Sequence, residues 1–364
     1  MMFDMRKIAV SIASLWMWPI FYLTRKSRHQ DILLNLICKK IEDEIVFPSF
    51  RLRRKDSSET PFLYSLCRNN KIKLGIVLQG PISLKDDMSY KSIKFYKSIY
   101  PNSVIVLSTW STEDKVLVKK CKDAGAVVVL SKPPMKPGVL NVNYQITSTL
   151  AGVKKAIELG ADYIAKTRTD QRICKPYVLL SLVELLEKYP VISEKSFQEK
   201  RIVVMPTYIN NMFTPYFMSD FFYFGQSQDI LRLFSLKLDS REDISSENLV
   251  TRIDYSKTMY PPEIYILKNY FIKYSDITVT DTIKDYWECI KKYLICIDKN
   301  VLDLLITKYE YSYNDGVSES TFFSNDNLKR KMTMKWGFIE WLNLLNGNIQ
   351  YIEEYENELY QVFK

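Results

Sequence analysis

The segment Lys166–Arg172, reading KTRTDQR, concentrates charge in a pattern suited to a diphosphate. In extended backbone Lys166, Arg168 and Asp170 share one face, and Thr167 and Thr169 take the other. The two cations can bind phosphate oxygens directly. The carboxylate can hold a magnesium or manganese ion that bridges those oxygens, because such ions use one or two protein carboxylates beside the phosphates. A surface salt-bridge cluster would use the same residue types. Two more carboxylates stand out downstream: Asp220 before the aromatic run FFYFG, and Glu263 after Pro261-Pro262. Either can take a proton from a hydroxyl as general base, and each is equally explained as a strand-edge or helix-start charge. The work falls to carboxylates because His29 is the only histidine, which leaves no Ser-His-Asp triad and no His-rich zinc set.

Other polar residues cluster at the ends of apolar runs. Gln79-Gly80-Pro81 closes the run KLGIVL; Gly80 lets a ligand approach the backbone, and Gln79 can read a base or ribose edge. A plain strand-to-loop turn would look the same. Thr109 and Trp110 offer a hydroxyl and a stacking surface, with ordinary core as the other reading of the tryptophan. Asn141, Asn143 and Gln145 lie at the start of a helix, where anions and routine caps both belong.

The elements that must position these residues alternate. Short apolar runs at 73–78, 104–107, 126–130 and 163–165 are separated by helical stretches near 87–99, 113–124 and 142–159. Strands joined by helices of ten or more residues imply right-handed crossovers and a mostly parallel sheet. Ligands of such sheets sit at the carboxyl ends of the strands, where Gln79–Pro81, Ser108–Trp110, Ser131–Pro133 and Lys166–Asp170 are expected. Further strands are expected at 201–206 and 221–224, with helices near 177–189 and from Pro261 to about Tyr274. Beyond about 284 the pattern reads as several helices. The expected fold is α/β, a Rossmann-type sheet with a helical C-terminal region. The expected organisation is an N-terminal segment over 1–70, a catalytic domain over 71–280 and a helical region over 281–364.

Composition narrows the classes. The 364 residues are 47% hydrophobic and 26% charged, which are values of a folded globular chain. Only 10 glycines occur, and neither G-x-x-x-x-G-K-[ST] nor G-x-G-x-x-G is present. Six scattered cysteines with no C-x-x-C pair suit a reducing compartment. Residues 1–55 hold 11 Lys and Arg against 5 Asp and Glu, so most of the net +9 sits at the N-terminus. That distribution argues against a nucleic-acid partner.

Residues 8–24, IAVSIASLWMWPIFYLT, carry no charge and are bracketed by Arg6-Lys7 and Arg25-Lys26. Seventeen residues broken by Pro19 are short for a spanning helix. Trp16, Trp18 and Tyr22 with flanking cations suit a membrane interface, with a buried helix as the competing reading. The expected location is cytoplasmic, peripheral on the inner face of the cytoplasmic membrane.

In order and spacing, LGIVLQGPI, YPNSVIVLSTW, NVNYQITSTLAGVKKA, YIAKTRTDQR and MSDFFYFG resemble the WavE-type proteins of bacterial lipopolysaccharide and capsule synthesis. PPEIYILKNYF extends the likeness to about Phe271. The resemblance implies a GT-A-like glycosyltransferase, with a nucleotide-sugar donor and a glycan or lipid-linked glycan acceptor. In GT-A enzymes an Asp-x-Asp motif at a strand end holds the donor's divalent metal. Here Asp170 matches one motif carboxylate and Arg168 stands where the other would be. Many inverting GT-A enzymes place the base at a helix start, which favours Glu263 over Asp220. Two competitors remain: a nucleotidyltransferase of sugar activation, which would show a Gly-rich phosphate loop, and a non-catalytic scaffold of glycan assembly, which would need no charge at the strand ends.

Overall fold

The computed structural model describes residues 72–191, 196–207, 212–241, 258–307 and 335–356, together with Pro19 and Tyr22. The chain divides into two compact units, Met1–Arg54 and Lys55–Lys364. Apart from Pro19 and Tyr22, both helical and exposed, the apolar stretch 8–24 and its proposed anchor lie outside the described residues. Among the described residues no helix is long and apolar enough to cross a membrane.

The chain runs β1 (Leu74–Gln79), α1 (Met88–Ile99), β2 (Val104–Trp110), α2 (Lys115–Asp123), β3 (Val127–Ser131), α3 (Val142–Glu158) and β4 (Tyr163–Arg168). It continues with β5 (Gln171–Ile173), α4 (Val178–Lys188), β6 (Ile202–Val204), β7 (Tyr223–Gln226) and α5 (Ser227–Phe234). The rest comprises α6 (Pro262–Tyr274), α7 (Ile283–Tyr293), β8 (Leu294–Cys296), α8 (Lys299–Leu302), β9 (Leu304–Ile306) and α9 (Phe338–Leu345). Seven strands form one sheet in the order β3-β2-β1-β4-β7-β6-β8, and β5 pairs with β9 in a separate ribbon. Every pair in the large sheet is parallel except those made by β7, which runs antiparallel to both β4 and β6. The expected mostly parallel sheet flanked by helices is thus the fold of this chain.

Local chemistry sets the element ends. All six residues of β1 and all seven of β2 are buried, which is why these strands read as continuous apolar runs and not as alternation. Asp114 caps α2 by accepting from the Val116 amide at 2.6 Å. Pro262 opens α6 with Glu263 in its first turn, at the positive end of the helix dipole. Thr282 and Asp285 form a reciprocal capping box on α7. The long α3 packs across β1, β2 and β3, and it does so closely because Gly152 presents no side chain to Val77 and Ser108.

The region after residue 281 is helical in α7, α8 and α9, and it also supplies two strands that the helical reading passed over. Parallel pairing with β6 adds β8 to the edge of the main sheet, and β9 pairs with β5 beside the end of β4. Each is three residues long, too short for any period to show in the sequence.

Candidate functional site

The carboxyl ends of β1, β2 and β4 open into a cavity of about 530 Å³. The backbone locks these three ends together. Gly80 donates its amide to the Ser108 carbonyl at 3.1 Å, and Thr169 donates to the Gln79 carbonyl at 3.1 Å. The Thr169 hydroxyl reaches the Pro81 carbonyl at 2.6 Å. Gly80 has φ +116, a conformation that side chains rarely adopt, so its turn holds the loop open toward the cavity. Glu113 ties the β1 and β2 loops, accepting from the Ile82 amide at 2.9 Å and the Thr109 hydroxyl at 2.8 Å.

One side of the cavity is aromatic and amidic. Trp110 meets Tyr144 edge to face, ring centres 5.0 Å apart. Gln79 and Gln145 line the same side, and the Gln145 Oε1 is buried with no hydrogen-bond partner among the described residues. A buried acceptor without a partner is costly unless a ligand satisfies it. The Gln79 Oε1 lies 2.9 Å from the Ser148 hydroxyl, which fixes its amide. Leu140 and Asn141 form the rim at φ +50 and +66. Left-handed backbone is tolerable for Asn, but for Leu it costs of the order of 1 kcal/mol.

The opposite side is charged. Arg168 and Asp170 both line the cavity and form a two-pronged pair, Nε to Oδ1 at 3.0 Å and Nη2 to Oδ2 at 2.8 Å. The Arg168 guanidinium also lies 5.2 Å from the Phe221 ring centre. Lys85, from the turn Lys85–Asp87, lines the same side, as does Thr307 after β9. Thr307 donates both its amide, at 3.0 Å, and its hydroxyl, at 3.1 Å, to the Asp170 carbonyl.

Of the residues singled out from sequence, Gln79, Gly80, Pro81, Trp110, Asn141, Gln145, Arg168 and Asp170 therefore meet around one cavity. Five others do not reach its wall. Thr109 is buried and spends its hydroxyl on Glu113. Asn143 is buried, and its side chain exchanges hydrogen bonds with the Asp239 backbone at 2.8 and 2.7 Å, so it staples α3 to a distant loop. Lys166 is wholly buried; its ammonium donates to the Asp220 carbonyl and lies 5.9 Å from the Tyr223 and Phe234 ring centres. Burial pulls its ammonium down to about 8. The expectation that Lys166 binds phosphate directly is corrected: strand alternation placed it on the face of Arg168, but Tyr223 of the neighbouring strand β7 and Phe234 of α5 close over it.

Asp220 and Glu263 likewise are not among the residues of the cavity wall. Asp220 is buried, and burial together with the Asp220 carboxylate pushes the Glu263 carboxyl up to about 8. Both carboxyls act electrostatically on the Lys166 cation. The raised acid has a measurable consequence. Between its ordinary 4.5 and about 8, Glu263 holds a proton in the folded chain and loses it in the unfolded chain. The stabilisation is complete below the lower value and disappears as pH rises through the upper one. Glu263→Gln, a permanent mimic of the protonated acid, should match the wild type near pH 5 and exceed it in thermal stability above pH 8. Parallel melting curves across that range would contradict the raised Glu263 acid.

Asp170 is the only carboxylate among the described residues of the wall, and a guanidinium holds both of its oxygens. No group of three His, Cys, Asp or Glu side chains that could hold a metal comes together among the described residues. The carboxylate that the resemblance offers to magnesium or manganese is thus engaged by a guanidinium, and Arg168 stands where a second ligand would be.

Two contributors escaped the sequence reading. Lys85 lies six residues past β1, within the region that the strand-end rule marks. Thr307 comes from the far C-terminal region, and nothing in the local sequence announces its place.

A family model described as WavE lipopolysaccharide synthesis matches residues 74–357. No curated protein matches the chain. Similar solved structures include 4-diphosphocytidyl-2C-methyl-D-erythritol synthase from Anaerococcus prevotii, at 9% identity and TM-score 0.36, covering 66% of this chain and 94% of that one. Glucosyl-3-phosphoglycerate synthase from Mycobacterium tuberculosis, in complex with Mn2+, UDP-glucose and phosphoglyceric acid, matches at 12% identity and TM-score 0.33, over 70% and 76% of the two chains. The galactosyltransferase LgtC, in complex with donor and acceptor sugar analogues, matches at 8% identity and TM-score 0.30, over 79% and 100%.

Proposed function

Because the chain belongs to the WavE lipopolysaccharide synthesis family, we propose that it is a glycosyltransferase moving a sugar from a nucleotide-sugar donor to a growing lipopolysaccharide or capsule glycan. The observation that carries this reading is the division of one cavity into an aromatic, amide-lined side and a cationic side. A nucleoside diphosphate has the same division. Its base and ribose suit Trp110, Tyr144 and the open acceptor of Gln145, and its phosphates suit Arg168.

The chemistry follows from that seating. An acceptor hydroxyl oxygen bonds to the anomeric carbon as the bond from that carbon to the diphosphate oxygen breaks, and the hydroxyl proton leaves with the departing nucleoside diphosphate. The sugar acquires oxocarbenium character, and negative charge grows on the leaving diphosphate. A guanidinium already oriented by Asp170 and Phe221 stabilises that charge without reorganising. The test is calorimetric titration of the purified protein with UDP, GDP and CMP. Binding of one nucleotide, lost on Trp110→Ala in protein that remains folded, supports the reading. Binding of none by folded protein would move the scaffold alternative to the front.

For the N-terminus, the reading places residues 8–24 on the inner face of the cytoplasmic membrane, beside the acceptor's membrane-bound precursors. Its apolar run and flanking cations support this. Deleting residues 1–26 should shift the protein from the membrane pellet to the soluble fraction. Unchanged pelleting would show that the anchor lies elsewhere.

A further inference from the structure

The charged side of the cavity has a composition of its own. Among the described residues its charged groups are Lys85, Arg168 and Asp170. A chain of short contacts links them. The Lys85 ammonium lies 3.3 Å from the Thr307 carbonyl, Thr307 donates twice to the Asp170 carbonyl, and the Asp170 carboxylate clasps Arg168. Lys166, the other cation of the KTRTDQR segment, is sealed behind Phe234 and Tyr223. Lys85 is exposed, on a short turn, with a four-carbon stem that lets its ammonium move.

We propose that the donor's diphosphate is held by Lys85 and Arg168 without a resident divalent ion, Asp170 serving to position Arg168. This rests on the nucleotide-sugar reading above. Two arguments carry it. An ion on Asp170 would have to share the carboxylate with the guanidinium and sit beside it, cation against cation. Among the described residues, Lys85 and Arg168 put two cations on one side of a partly enclosed cavity, where their attraction for an anion is stronger than in water. Lys85 thus takes up the second-cation role that the sequence pattern offers to Lys166.

The experiment is titration with UDP, GDP and CMP, each in EDTA and again with manganese, for the wild type and three variants. The proposal expects the affinity of the bound nucleotide to agree within about two-fold between the two buffers. Lys85→Ala should weaken binding about ten-fold and make it less sensitive to salt, as the loss of one phosphate-binding cation requires. Asp170→Asn keeps an acceptor for Arg168 and should bind more tightly in EDTA than Asp170→Ala, where no metal can account for the order. Binding seen only with manganese would overturn the proposal and leave the nucleotide-sugar reading standing. Unchanged affinity and salt dependence in Lys85→Ala would also overturn it. Failure of every nucleotide in both buffers would instead sink the underlying reading, and the proposal with it.

Discussion

Arg168→Ala should lower the rate of glycosyl transfer by about a hundred- to a thousand-fold, the usual consequence of removing one preorganised donor to a developing anion. The guanidinium lines the cavity, pairs with Asp170 and lies against Phe221, so its position is fixed before any ligand arrives. The loss should fall mainly on kcat, because the diphosphate carries more charge as it leaves than when it binds. The fold should survive, since the Arg168 side chain is partly exposed at a strand end. Initial rates of nucleotide release, with a melting curve on the same sample, measure both effects. Arg168→Lys should recover only part of the rate, because an ammonium cannot reproduce the two-pronged contact with Asp170. Full activity in Arg168→Ala would remove the charged side of the cavity from the chemistry.

Gly152→Val should produce the largest loss of stability, about 3 kcal/mol, through overpacking where α3 crosses the sheet. A Cβ at this position would sit 2.6 Å from the Val77 Cγ1 and 2.8 Å from the Ser108 Cβ. Neither atom is the far end of a flexible chain, so α3 must move off β1 and β2. That displacement also reaches the site, because Ser148 on the same helix contacts Gln79, and Tyr144 contacts Trp110. Gly152→Ala, which adds the same Cβ and nothing more, should lose less. Urea unfolding of both variants checks the order, and equal stability of Gly152→Val and wild type would contradict the close packing.

Much of the architecture was written in local sequence. Strands β1 and β2 are buried along their whole length, and their apolar runs stop at the polar residues that form the cavity floor. The helix after Pro261-Pro262 begins where proline chemistry puts it. The assembly of the cavity was legible as far as the strand-end rule reaches, which covers Gln79, Trp110, Arg168 and Asp170. What depends on long-range cover was not. Alternation put Lys166 beside Arg168, but only β7 and α5 determine that Lys166 is sealed and Arg168 is not. Asn143 looked like a helix-start ligand and is a staple to Asp239, 96 residues away. Thr307 enters through β9, whose three residues carry no periodic signal.

The central claim is that a nucleotide occupies the cavity at the ends of β1, β2 and β4. It is tested most directly by photolabelling with an azido derivative of whichever nucleotide binds, followed by mapping of the labelled peptides. The account predicts label on the peptides containing Trp110 and Tyr144, suppressed by excess unlabelled nucleotide. Label confined to other peptides, such as those around the separate aromatic cavity of Phe213, Trp287 and Tyr355, would contradict it.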